Sequence, residues 1–274
     1  MVQLLATIAN DPELMPSSLH ALRGLIEAPD SEAPANEVWG VGYHAEDRGL
    51  IARKPASILE ERSAWGIGHA LRSRVLLTCA GATTLRANLP PYRFRRWLFG
   101  YSGDLSGLGA LQAHVAPKLP SFVRDALGDD HGGHLVHCMF LTELHRDGLL
   151  EDGLASPDAV GAALERTAET VIRLAPEAGV EAVKGTLTVS NGRMLVVTRM
   201  GQPLFQKHVA GLERLPDGPV DETLHDFKRV AEALKRFRAE VFATGLSPDV
   251  SDWTTLPERG TTVVDAALDV RHLG

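Results

Sequence analysis

Residues 1–10 read MVQLLATIAN. Within them, Val2–Ala9 form a short, mainly apolar run of a length that suits a buried strand starting at the very first residues. Working outward, VWGVGYH (38–44), GLIARK (49–54), RVLLTC (74–79) and WLFGY (97–101) have the same character. GTLTVSNGRMLVVTRM (185–200) is two strand patterns about Asn191-Gly192, the strongest short hairpin signal a sequence offers. Further strands are expected at 203–209, 239–244, 261–265 and 268–272.

Helical spacing fills the gaps. SSLHALRGLIE (17–27) places Leu19, Leu22 and Leu25/Ile26 on one face behind a serine cap, and a polar loop rich in Pro, Ala and Glu follows at 28–37. Helices are expected at 58–72, 107–115, 119–127 and 134–147. Another is expected at 156–174, where Ser156-Pro157 is a cap with proline at the first helical position. The segment 221–238 reads as a basic amphipathic helix with Leu224, Phe227, Ala231 and Leu234 on one side. Strands at both ends with helices grouped between them indicate an α+β fold of sheets covered by helices, without βαβ alternation.

The 274 residues are 44% hydrophobic and 23% charged, which fits one large domain spanning 1–274 with the helix at 221–238 as an added element. A formal net charge of −7 argues against non-specific binding to nucleic acid or anionic membrane. No apolar stretch reaches the roughly 18 residues of a spanning helix, and LLATIA is too short for a signal-peptide core. Cys79 and Cys138 make no disulfide framework. The expectation is a cytoplasmic protein with reduced thiols.

Five segments, in order, carry a resemblance. MVQLLA lies where stand-alone class II glutamine amidotransferases have Met-Cys-Arg-Leu-Leu-Ala. WGVGYHAEDRGLIARKPASI is similar to their Trp-Gly-Val-Gly-Tyr hairpin and Arg-Lys-Pro-like turn. SRVLLTCAGATT, PYRFRRWLFGYSGDL and the closing AEVFATGLSPDVSDWTTLPERGTTVVDAALDVR resemble the family's arginine-bearing strand, its Phe-Ala-His-Asn-Gly segment and its last strands. The resemblance implies an N-terminal-nucleophile fold, a four-layer αββα sandwich of two antiparallel sheets.

It also implies a chemistry whose parts are missing. The family's cysteine nucleophile, with its own α-amine as base, is replaced by Val2, preceded here by Met1. The arginine that would clamp the glutamine carboxylate matches Ala80, followed by Gly81. The oxyanion pair Asn-Gly is Ser102-Gly103, in which the backbone donor could persist. The acidic Asp-Ser-Glu stretch matches Gly132-Gly133-His134, with Asp129 or Asp130 as substitutes if the loop shifts.

Three features offer other chemistry. Cys79 lies one position before Ala80, but no cation nearby lowers its pKa, and buried cysteines are usually inert. Thr83, Thr84 and Ser102 are hydroxyls without an evident partner base. His131, His134 and His137 recur every three residues, so His131 with His134, or His134 with Cys138, has the spacing of a metal chelate. Steps of three rotate round a helix, so all three converge only if the first lies in a loop. The expectation is therefore a catalytically degenerate amidotransferase-like protein, with no cofactor, that binds a protein partner. That partner would be an active relative, a synthetase or transferase subunit, or a second copy. The alternatives are a repurposed small-molecule or metal pocket at His131/His134, or a hydrolase with a relocated nucleophile such as Cys79.

Overall fold

The structure, a computed structural model, describes residues 2–21, 37–55, 71–82, 88–125, 127, 131–212, 227–246 and 252–273. Among these the chain builds β1 (Gln3–Ala9), α1 (Met15–Ala21), β2 (Glu37–Ala45), β3 (Arg48–Pro55), β4 (Val75–Ala82), β5 (Tyr92–Phe94) and β6 (Trp97–Gly103). The helical middle follows: α2 (Gln112–Val115), α3 (Ser121–Arg124), α4 (Gly132–Arg146) and α5 (Pro157–Leu174). The last part is β7 (Gly185–Ser190), β8 (Leu195–Met200), β9 (Phe205–Ala210), α6 (Phe227–Arg236), β10 (Arg238–Ala243), β11 (Thr254–Thr255), β12 (Arg259–Val264) and β13 (Val270–Leu273).

Among the described residues the strands form two antiparallel sheets. One has the order β11-β9-β10-β1-β4-β2-β3 and the other β13-β12-β8-β7-β6-β5. Side-chain alternation along each strand separates three apolar layers. Ala6, Ile8, Val75, Leu77 and Phe242 of the first sheet meet Leu98, Leu195, Val197 and Val264 of the second, with no helix between them. The opposite face of the first sheet (Leu5, Trp39, Val41, Leu76, Ala80, Val241) packs on Met15 of α1, Leu234 of α6 and Phe237. The outer face of the second sheet (Trp97, Phe99, Tyr101, Leu187, Val189) packs on α4 and α5 through residues such as Phe140, Leu144, Val160 and Leu164. The result is a four-layer αββα sandwich.

The Trp39-Gly-Val-Gly-Tyr43 stretch shows how sequence sets this packing. A Cβ at Gly40 would stand 2.5 Å from the Pro90 carbonyl oxygen, and one at Gly42 would crowd Pro91 and Leu98. Glycine on the inner face of β2 therefore admits the segment leading into β5, while Trp39 and Val41 fill the outer core. The Asn191-Gly192 hairpin forms as read. Asn191 Oδ1 accepts the Arg193 N–H at 3.0 Å, and Gly192 takes a φ of +91°.

The structure departs from several expected boundaries. α1 starts at Met15, ahead of the serines, after a 3₁₀ turn whose N-cap Asp11 accepts from the Glu13 N–H; residues 22–27 lie outside the described residues. The helices expected at 107–115 and 119–127 are largely 3₁₀ turns (Ser106–Leu111, Ala116–Lys118) with one α-turn each. In the segment expected to be helical at 58–72, residues 58–70 lie outside the described residues, and Leu71 and Arg72 are not helical. The basic helix ends at Arg236. The Arg238 N–H bonds Asn10 Oδ1 and Asn10 N–H bonds the Arg238 carbonyl, so the chain turns into β10. Ala233 and Val230 flank its buried Leu234; Leu224 lies outside the described residues. The short strands β5 and β11 carried no signal of their own.

Candidate functional site

Val2 sits where β1 leaves one sheet and touches the other. Its N–H donates to the Gly103 carbonyl at 3.1 Å, and the Gly103 N–H donates to the Val2 carbonyl at 2.9 Å. The end of β6 is thereby tied to the first strand. Gly103 is held at φ +99°, and a Cβ there would overlap the Lys184 carbonyl oxygen, so no other residue fits without strain. Ser102 is fully buried and its Oγ donates to Gln202 Oε1 at 3.1 Å. The backbone donor that the resemblance left available for an oxyanion is consumed by the chain itself.

The carboxylate-clamp position needs a correction. The Ala80 side chain packs with Trp39 and Leu76 in the outer core of the first sheet, on the face away from the second. The residue that looks toward Val2 is Gly81, where a Cβ would stand 3.3 Å from Val2 Cγ2 and 3.3 Å from Leu89 Cδ1. A one-residue step in a strand exchanges faces, so Gly81, and not Ala80, shares the face of Val2. Neither residue offers a cation.

At the acidic-stretch position, Gly132 and Gly133 begin α4. A Cβ at Gly132 would overlap the Leu105 carbonyl oxygen; one at Gly133 would lie 2.6 Å from Tyr101 Cε1 and 2.7 Å from the Tyr92 hydroxyl. The helix start is packed too closely for a side chain at either place. Asp129, Asp130, Thr83 and Thr84 lie outside the described residues.

Cys79 does not suit a nucleophile. It is fully buried between the sheets over Gly100, and its Sγ lies 3.9 Å from the Tyr101 carbonyl oxygen. Burial pushes its thiol up to about 12, so it stays protonated at neutral pH. Cys138 is likewise buried and free, its thiol also pushed up to about 12 by burial.

The three histidines play three different parts. His131 is the N-cap of α4, its Nδ1 accepting from the Gly133 N–H at 3.2 Å. Its pKa is lowered, first by burial and then by the nearby His134. His134, half-buried, packs its ring 4.2 Å from that of Tyr92. His137 is 4% exposed, between the rings of Tyr92 (5.6 Å) and Phe99 (5.3 Å). Among the described residues no three His, Cys, Asp or Glu side chains gather as metal ligands. Successive steps of about 100° per residue carry the rings round the helix, and Cys138 turns into the core, its Sγ toward the Val123 carbonyl. The three histidines do not converge as a three-ligand site.

What the sequence did not reveal is a cavity of about 460 Å³ beside this corner, bounded by Leu50, Ile51 and Arg53 of β3, Tyr92 and Arg93 of β5, and His134 and His137 of α4. Arg53 donates from Nε to the Leu89 carbonyl (2.8 Å) and from Nη2 to the Pro91 carbonyl (2.6 Å). Leu89 thus belongs to both places: its side chain abuts Gly81 and its carbonyl holds Arg53. His137 Nε2 is buried without a hydrogen-bond partner among the described residues, and burial drops its pKa to about 3, with His134 adding to the effect.

No protein-family model and no curated protein sequence matches this chain. Solved structures do match. A glutamine aminotransferase class-II domain protein from Silicibacter pomeroyi superposes with a TM-score of 0.60 at 15% identity, over 99% of each chain. A predicted glutamine amidotransferase from Pseudomonas aeruginosa PA01 superposes with a TM-score of 0.53 at 11% identity, over 100% of this chain and 96% of its own. The two-sheet sandwich built on the Val2–Gly103 junction is therefore the fold of class II glutamine amidotransferase-like structures.

Proposed function

We propose that this chain is one domain over its whole length, a catalytically degenerate class II glutamine amidotransferase-like protein that acts by binding and does not hydrolyse glutamine. The observation that carries the reading is the Val2–Gly103 junction. An aliphatic side chain lies at the nucleophile position, and the backbone donor for an oxyanion is spent on the Val2 carbonyl. Gly81, facing Val2, has no guanidinium to hold a substrate carboxylate. Loss of a single oxyanion donor costs roughly 10²–10³ in rate, and here the nucleophile and clamp side chains are absent as well. The resemblance suggests a protein partner, such as an active relative or the enzyme that would receive ammonia. The exposed basic side chains of Lys228, Arg229, Lys235 and Arg236 on α6 give a face for it on an otherwise acidic chain. The test is ammonia release from L-glutamine by the purified, unaltered protein. No release above the uncatalysed background is expected; turnover that is proportional to enzyme and survives repurification overturns the reading.

A second reading, a small-molecule site, is favoured by the cavity between β3, β5 and α4.

A further inference from the structure

The cavity beside His137 combines features that a packed core avoids. Among the described residues its wall holds two arginines, Arg53 and Arg93, and no Asp or Glu. Arg53 is half-buried, and among the described residues it meets main-chain carbonyls and no carboxylate. Buried cations ordinarily find an anion, because a carbonyl dipole does not neutralise a charge taken from water. Arg93, at the exposed side, donates from Nη1 to the Gly49 carbonyl at 3.2 Å. Behind them is the orphaned Nε2 of the buried His137, a polar atom of the kind native interiors rarely leave unmatched. The tilted pair Tyr92–His134, with ring centroids 4.2 Å apart at an interplanar angle of 55°, gives the same wall an aromatic surface. A volume of about 460 Å³ is within the usual range for small-molecule sites.

We infer that this cavity is a binding site for a small organic anion, a carboxylate or phosphate carried on a flat ring. In it, Arg53 and Arg93 take the anionic group, the Tyr92–His134 wall takes the ring, and His137 Nε2 meets a polar atom of the ligand. The inference deepens the binding reading above and rests on it. The arginine fork matches the two oxygens of either anion.

The full chain is titrated with benzoate and with phenyl phosphate, with L-glutamine and benzylamine as controls, following heat and thermal melting. Saturable binding of at least one ring anion is expected, with a rise in melting temperature and none from the controls. Arg93→Gln and His137→Phe should each weaken that binding roughly tenfold or more. Arg93 sits at the exposed side and phenylalanine suits the ring cluster around His137, so both variants should fold; an unchanged circular dichroism spectrum checks this. Preference for phenyl phosphate over benzoate identifies the ligand as a phosphate, and the reverse as a carboxylate. The inference is overturned if neither ring anion binds at about 10 mM, or if both variants bind as the parent does. Ammonia release is a separate readout, so failure here is distinguishable from failure of the non-catalytic reading.

Discussion

The Val2–Gly103 corner and the cavity between β3, β5 and α4 lie side by side, joined through Leu89, and they are opposites. At the corner three polar groups have found partners within the chain: the Gly103 N–H on Val2, the Val2 N–H on Gly103, the Ser102 hydroxyl on Gln202. In the cavity, among the described residues, an arginine lacks a carboxylate and an imidazole nitrogen lacks any partner. A self-satisfied corner is a structural joint. A wall of unmatched polar groups costs stability, and such a cost is usually kept where something binds.

The contrast breaks most severely if the joint is opened. Gly103→Ala places a Cβ on the Lys184 carbonyl at a φ of +99°, and a loss of about 4 kcal/mol is expected. For a chain of this size that is roughly 8–16 °C in melting temperature. A shift below 2 °C would mean that the corner relaxes freely and is no joint.

Next in size is acid sensitivity on the cavity side. The unfolded His137 binds a proton below about 6.5, whereas the folded one, buried and beside His134, refuses it until about 3. The unfolded state therefore holds more protons between these values, and stability present above pH 6.5 is lost as pH falls toward 3. His137 alone should remove up to about 3 kcal/mol by pH 4. His44, its pKa lowered mainly by burial, adds in the same direction. Chemical denaturation from pH 7 to pH 4 of the parent and of His137→Phe measures the difference. An equal loss in both would show that His137 is not kept neutral.

A smaller pair of effects should differ in sign. Ser102→Ala takes the donor from Gln202 Oε1 in a fully buried position and should destabilise by about 1–2 kcal/mol at pH 7. His137→Phe removes an unpaired nitrogen from an aromatic cluster and should be neutral or stabilising by about 1 kcal/mol. If both substitutions destabilise equally, the two regions are satisfied alike and the comparison fails.

The sandwich was legible because its signals are local. An apolar run at Val2–Ala9, glycines at 40 and 42 and Asn191-Gly192 each specify strand or turn without distant help. The site was legible only in part. Val2 is legible as an aliphatic residue at the start of the first strand, and the structure ties it to Gly103. The clamp was placed on Ala80, one step from Gly81, because a motif match fixes position to within a residue while the pleat makes that residue decide the face. Capture of the Gly103 N–H by Val2 joins residues a hundred apart and leaves no mark in either neighbourhood. Rotation about α4 argues against three converging histidines, but the ring cluster of Tyr92 with His134 and His137 depends on β5, a three-residue strand with no pattern of its own. The basic pattern of 221–238 runs past its helix because Asn10 pairs with Arg238, again a contact distant in sequence.

The smallest expected effect is also the sharpest, since it is no effect. Val2→Cys restores sulfur at the nucleophile position. The nitrogen of residue 2 is held on the Gly103 carbonyl. The Gly103 N–H remains on the carbonyl of residue 2, and Gly81 still offers no cation to a substrate carboxylate. A nucleophile is one of several parts that act as a unit, and restoring one alone recovers almost nothing. Ammonia release from L-glutamine by Val2→Cys should therefore equal that of the parent, with stability changed by no more than about 1.5 kcal/mol. If this single substitution brings glutaminase turnover, the corner holds a working site short of only a thiol, and the difference between a closed joint and an open cavity is lost.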